Sequence, residues 1–273
     1  MPINPLPLFP LLDRKLIALL KSLKPEEWQA QTIAKLWKVK DVVAHLLDGN
    51  IRSLSMLRDN YFGEHANIDS YQSLVDFLNG INADWVKAMK RVSPNMLILL
   101  HEVTGPLYYE YYKSLNPLDK SGFAVDWAGE GESKNWTHIA REYTEKWLHQ
   151  QQIRDAVGKQ EILTREFFYP FIDIFMLALP HTYRSVEAEN ETTIKLTVSG
   201  ELGGSWFLVR QGSKWLLDKN VSIAPSSEIT MDPETSWKLF SKSWRPENVK
   251  DKITIMGNQK LGEVALTMVS VMA

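Results

Sequence analysis

Up to Gly158 the apolar residues of this chain recur at helical spacing; beyond it they fall in short runs between glycine turns. Two such textures in one chain predict a helical part followed by a mixed one. Leu8, Leu11, Leu12, Ile17, Leu19 and Leu20 predict a first helix over 8–23, broken by Lys24-Pro25-Glu26-Glu27. A second helix is expected over 38–60, with Val39, Val42, Val43, Leu46, Leu47, Ile51 and Leu54 as its apolar stripe. A third runs over 70–91 through Leu74, Phe77, Leu78, Ile81 and Trp85, and Pro94 opens a fourth that reaches Leu115. Residues 116–135 turn irregular, and a loop of that length is often functional. A further helix spans Thr137 to Val157, with Gly158 as its stop.

The second texture begins with an aromatic stretch, 164–183, that suits a buried helix. Thr193–Val198, Trp206–Arg210 and Lys214–Leu217 read as strands, with Gly203-Gly204 and Gln211-Gly212-Ser213 as the turns between them. Asp232-Pro233-Glu234 opens a helix through Trp237 and Phe240. Ile253–Met256 reads as another strand and Leu261–Val271 as a closing helix. The expected organisation is therefore an all-α part, residues 1–158, and a smaller α+β part, residues 159–273.

Composition narrows the chemistry. With 273 residues and 44% hydrophobic content the chain can build a core unaided, so a bound metal would serve function rather than folding. There is no cysteine, so disulfides and thiolate ligands are excluded and a metal must take nitrogen and oxygen donors. A net charge of −2 with mixed signs argues against nucleic acid and against an anionic membrane. Four prolines interrupt the opening MPINPLPLFPLLDRK, so no signal peptide is expected, and no apolar run is long enough to span a bilayer. A cytoplasmic home is the expectation.

Glu145 and His149 are four residues apart on one expected helix, hence on one face, where a single ion can bridge them. His138 and Glu142 have the same spacing on the same helix. His138 lies about 16 Å along the axis from His149, so one ion cannot use both histidines. Spacing alone does not choose between the pairs. His45 sits on the polar side of the second helix between Asp41 and Asp48, where periodicity permits a solvated face as readily as a cleft. His65, His101 and His181 have no partner at ligand spacing and read as surface or core residues. Tyr108, Tyr109, Tyr111 and Tyr112 read most simply as packing; a lid over a metal cleft, with Phe123 and Trp127, is the alternative. Gly200, Gly203 and Gly204 belong to a hairpin rather than a phosphate cradle, and no P-loop or nucleophile elbow is present.

The segment Leu23-Lys24-Pro25-Glu26-Glu27-Trp28, with Leu36-Trp37-Lys38-Val39-Lys40-Asp41-Val42-Val43-Ala44-His45-Leu46 after it, resembles the opening of the mycothiol-dependent maleylpyruvate isomerase family. That family lies in the DinB-like superfamily of metal-binding four-helix bundles. Glu145-Lys146-Trp147-Leu148-His149, followed by Arg154-Asp155, resembles its second motif, Glu-x-x-x-His. The resemblance implies a DinB-like four-helix bundle whose metal ligands are His45, Glu145 and His149, and it leaves His138 and Glu142 outside. The tail from about Ser227 is similar, more loosely, to a sterol-carrier-like domain.

Two histidines and a carboxylate leave an open position on a tetrahedral zinc, the catalytic pattern. Zinc is the first expectation and nickel the second; iron or manganese also tolerate such donors. The resemblance implies an enzyme that uses a low-molecular-weight thiol, as an S-transferase or maleylpyruvate-isomerase-like isomerase. A metal-dependent hydrolase of the same superfamily and a non-catalytic carrier of a small apolar ligand or lipid are the alternatives. The expected partners are a small-molecule substrate and the thiol, with no nucleic acid and no membrane; a homodimer is compatible with this reading.

Overall fold

The break at Lys24-Pro25 and the turn that follows it set the direction in which the second helix starts. Trp37 closes that turn: its carbonyl accepts hydrogen bonds from the Thr32 hydroxyl at 2.7 Å and the Gln31 amide at 2.9 Å. Lys38 then enters the helix with its backbone N–H held by the Asp41 carboxylate at 3.0 Å, which satisfies a donor at the helix start. A computed structural model of the chain describes residues 3–64, 66–122, 133–218, 221 and 223–269. The described residues fall into two compact units, 3–122 with 133–162, and 163–269.

The first unit is helical. It contains α1 (Phe9–Ser22), α2 (Val39–Ser53), α3 (Tyr71–Met89), α4 (Pro94–Ser114) and α5 (Asn135–Ala156). Helices α1 and α2 each pack against α4 and α5, and α3 packs on α2. Leu16, Leu19 and Leu20 of α1, Val39, Val42, Val43, Leu46 and Leu47 of α2, Leu97 and Ile98 of α4 and Ile153 of α5 share one apolar core. Ser70 and Ser93 cap α3 and α4 through the N–H groups of Ser73 and Met96. Gly158, at φ +70°, ends α5 in the left-handed conformation that glycine tolerates best. The expected second helix over 38–60 is α-helical only to Ser53; Leu54–Arg58 widens into a π turn before Asn60, at φ +55°, ends the winding.

The middle of this unit is not dry. Lys146 of α5 is buried, and its ammonium donates to Asp13 of α1 at 2.9 Å and to Asn50 of α2 at 3.2 Å. Asn50 in turn donates to the Thr104 hydroxyl of α4 at 3.1 Å. Asp13 reaches in this far because α4 carries Gly105 there: a Cβ at that position would stand 3.1 Å from the Asp13 carboxylate.

The second unit is α+β. It opens with α6 (Arg165–Phe175) and a short α7 (Leu179–Thr182), separated by a tight turn over Met176–Ala178. The single helix expected over 164–183 is thus corrected to two, because Pro180 has no N–H to continue the first and sits instead in the first turn of the second. Five strands follow: β1 (Thr193–Val198), β2 (Gly204–Gln211), β3 (Lys214–Asp218), β4 (Ser227–Met231) and β5 (Ile253–Gly257), in the order β3-β2-β1-β4-β5. Neighbours are antiparallel except β1 and β4, which are parallel and are connected through β2 and β3. Ile194, Leu196 and Val198 lie across from Leu208, Trp206 and Gly204 and from Ser227, Ile229 and Met231, which gives the sheet one buried face. The turn at Gly212, φ +57°, is where the sequence put it; the turn before β2 falls earlier than Gly203-Gly204, closed by the Gly203 N–H on the Gly200 carbonyl, and Gly204 already pairs with Val198 as the first residue of β2.

Strand β4 was not expected. Asp232 caps α8 (Pro233–Phe240) through the Thr235 N–H at 2.8 Å. The closing helix, α9 (Gln259–Ala265), is shorter than the expected 261–271. Asn258 caps it at 3.2 Å, and a tight turn on Val264 ends it: the Thr267 N–H and hydroxyl both bond the Val264 carbonyl. No helix among the described residues is long and apolar enough to cross a membrane.

Candidate metal centre

Helix α5 is buried on most of its circumference, including His138, Glu142, Lys146 and Gln150 to Gln152. Most polar residues of α5 therefore face protein rather than solvent. Glu145 and His149 emerge one turn apart on a half-buried side, with Glu145 Oε2 3.1 Å from His149 Nε2. His45 approaches from α2, its ring 4.6 Å from that of His149, edge to face at 80°. One donor atom each from His45, Glu145 and His149 lie within 4.8 Å of one another. Among the described residues this is the one grouping of three such side chains close enough to share an ion.

Trp37, anchored by its own backbone, roofs the cluster. Its ring is 4.7 Å from His45 and 6.3 Å from His149. Gln152 accepts from His149 Nδ1 at 2.9 Å. Sequence reasoning did not single out Gln152, although its place three residues after His149 on one helix was the available signal.

Electrostatics puts two of the three groups, His45 and Glu145, in ligating form. Burial pushes the His45 imidazolium down to about 3, with the positive charges of His149 and Arg52 adding to it against the pull of Glu145. Burial alone would raise the Glu145 carboxyl. The hydrogen bond and charge of His149, with help from His45 and Arg141, outweigh it and hold the carboxyl at about 2. At neutral pH His45 is a neutral imidazole and Glu145 a carboxylate, the states that bind a cation. His45 Nδ1 is buried without a hydrogen-bond partner, an unmet valence of the kind that calls for an explanation. The nitrogen and oxygen donor set suits zinc, nickel or iron.

The rival pair is committed elsewhere. The Glu142 carboxylate accepts the Tyr108 hydroxyl on one oxygen and the Arg141 guanidinium on the other. His138 is buried eleven residues before His149 and is not part of the cluster. His101 is a core residue: its Nε2 lies 3.0 Å from the Val43 carbonyl, and burial holds its imidazolium down at about 4. His181 is half-buried near Arg184. Tyr108 and Tyr112 are buried and pack with Phe9, so they act as packing. His65, Phe123 and Trp127 lie outside the described residues, and with them the lid.

Comparison with known proteins follows the same division. The sequence model of the family described as Mycothiol maleylpyruvate isomerase N-terminal domain matches residues 9–154. No curated protein matches the chain. Among solved structures, that of the mycothiol-dependent maleylpyruvate isomerase aligns with a TM-score of 0.53 at 12% identity, over 92% of this chain and 91% of that one. A histidine-to-alanine variant of that enzyme aligns with the same TM-score and coverage at 11% identity. The likeness establishes a shared fold, a helical N-terminal region followed by a mixed-sheet region.

Proposed function

This chain belongs, through residues 9–154, to the mycothiol maleylpyruvate isomerase N-terminal domain family, and from that premise we propose that it is a metal-dependent enzyme acting with a low-molecular-weight thiol. The observation that carries the reading is the convergence of His45, Glu145 and His149 from two helices, with one buried imidazole nitrogen left unbonded. Those three side chains would hold the ion, zinc first and nickel second. A divalent ion held there supplies Lewis acidity, lowering the pKa of a thiol or water that reaches it so that a nucleophile forms near neutral pH.

The chain's own residues contribute orientation and charge. Glu145, ionised at neutral pH, would offset part of a bound cation's charge, and His45 would meet it as a neutral imidazole. Trp37 closes one side of the cluster with an apolar ring, limiting water there. Because the chain has no cysteine, the sulfur nucleophile has to arrive as a separate small molecule. Addition of its thiolate to an activated double bond, followed by rotation and loss of the same thiolate, gives an isomerase. Displacement of a leaving group gives an S-transferase.

The test is turnover of an activated electrophile by metal-loaded protein with and without added thiol, mycothiol first and other small thiols beside it. Turnover that requires the thiol and disappears with His149→Ala supports the reading. Equal turnover without any thiol would instead make this a hydrolase of the same superfamily.

A further inference from the structure

We propose that Gln152 is a positioning residue for the metal centre: its buried carboxamide oxygen accepts the Nδ1–H of His149 and so leaves Nε2 as the nitrogen offered to an ion. The inference rests on the reading of His45, Glu145 and His149 as ligands and adds a role for a residue outside that set. The Gln152 side chain is buried, and its Oε1 lies 2.9 Å from His149 Nδ1. The same imidazole's Nε2 faces Glu145 Oε2 at 3.1 Å. The two ring nitrogens are thus sorted by their neighbours, one toward a neutral amide and one toward the charged ligand.

Histidine ligands commonly have their second nitrogen held in this way, and loss of such a partner weakens metal binding about 10- to 100-fold. The two imidazoles differ here. His149 is held by a hydrogen bond, whereas His45 Nδ1 has no hydrogen-bond partner and its ring rests against Trp37. Gln152 therefore fixes the one histidine that shares a helix with the carboxylate ligand.

Zinc titration of wild type, Gln152→Met and Gln152→Glu tests this, together with 1H–15N spectra of the zinc-loaded wild-type protein labelled at histidine. The expected result is zinc on Nε2 of His149 with a slowly exchanging Nδ1–H. Gln152→Met should bind zinc about 10- to 100-fold more weakly while its metal-free thermal midpoint stays near wild type. Gln152→Glu, which keeps an oxygen acceptor, should recover most of the affinity. Zinc on Nδ1 of His149, or undiminished affinity in Gln152→Met, overturns the role of Gln152 and leaves the three-ligand site standing. A wild-type protein that binds no zinc or nickel overturns both. If Gln152→Met does not fold, the wild-type spectrum alone decides which nitrogen carries the metal.

Discussion

Two of the polar clusters on helix α5 differ in what they lack. On one side Lys146 is neutralised by Asp13 at 2.9 Å and bonded to Asn50, which passes on to Thr104, so four helices supply partners for one another. On the other side His45, Glu145 and His149 present three ligand-type atoms within 4.8 Å, and a buried nitrogen of His45 has no partner. Sequence neighbours, Glu145 and Lys146, belong to different clusters because successive helical residues point about 100° apart. A polar group that the fold satisfies internally is there for the fold. A polar group left short, beside others of ligating chemistry, is there for something the chain does not itself supply.

That contrast predicts opposite signatures. The largest effect is expected on metal content: His149→Ala or His45→Ala should lose a stoichiometric ion, with a fall in affinity larger than the about 10- to 100-fold that follows loss of a ligand's supporting partner, measured by zinc titration of protein purified without a nickel column. Neither change should cost the metal-free protein more than about 2 kcal/mol in urea unfolding. His138→Ala should keep the ion. If it lost the ion while His149→Ala kept it, the assignment of the two pairs would be reversed.

Lys146→Ala should behave the other way round. Removing the cation leaves the partly buried Asp13 and the Asn50 carbonyl without their donor, and a loss of about 2–4 kcal/mol is expected in urea unfolding. Zinc affinity of the folded fraction should change by less than about threefold. A Lys146→Ala protein as stable as wild type would erase the distinction between the clusters.

His101 gives a pH-dependent version of the same contrast. Its imidazolium is held down at about 4 against an ordinary value of 6.5, chiefly by burial. The folded state thus favours the neutral ring. This contribution is fully present above pH 6.5 and is lost as pH falls toward 4, by up to about 3 kcal/mol. His101→Gln should flatten the stability profile across that window, read from unfolding curves at successive pH values. An unchanged slope would mean that the ring protonates without opening the core.

The smallest effect is expected at Trp37. Its contact with His45 is ring packing alone, worth about 0.5–1.5 kcal/mol, so Trp37→Ala should weaken zinc binding by roughly 2- to 10-fold and Trp37→Phe should restore much of it. A full loss of metal in Trp37→Ala would make the indole structurally necessary to the cluster rather than a wall beside it.

How far the sequence could take a reader differs between these elements. The helices α1 to α5 were legible because each carries an apolar stripe and an end signal, such as Lys24-Pro25, Ser93-Pro94 or Gly158. Strand β4 was not. Its Ser-Glu-Ile-Thr-Met holds two apolar residues and pairs on both sides, with β1 and β5, so tertiary pairing rather than local pattern makes it a strand. Of the site, the spacing of Glu145 and His149 was visible, but so was that of His138 and Glu142. What separates them is the hydroxyl of Tyr108 and the guanidinium of Arg141 on the Glu142 carboxylate; the first contact depends on the fold bringing Tyr108 of α4 to α5, and the second comes from the neighbouring residue of α5 itself. The approach of His45 needed the family resemblance, since no local signal says that α2 and α5 are neighbours. Likewise the burial of most of α5 is not readable from its sequence, because its buried faces carry Lys146, Gln150, Gln151 and Arg154.

The most direct test of the central claim is a zinc-edge anomalous difference map from crystals grown with zinc. The account predicts one peak per chain among His45, Glu145 and His149, about 2.0–2.2 Å from a nitrogen of each histidine and an oxygen of the carboxylate. A map with no peak between α2 and α5, or with zinc bound by the His138 and Glu142 side chains instead, would contradict it.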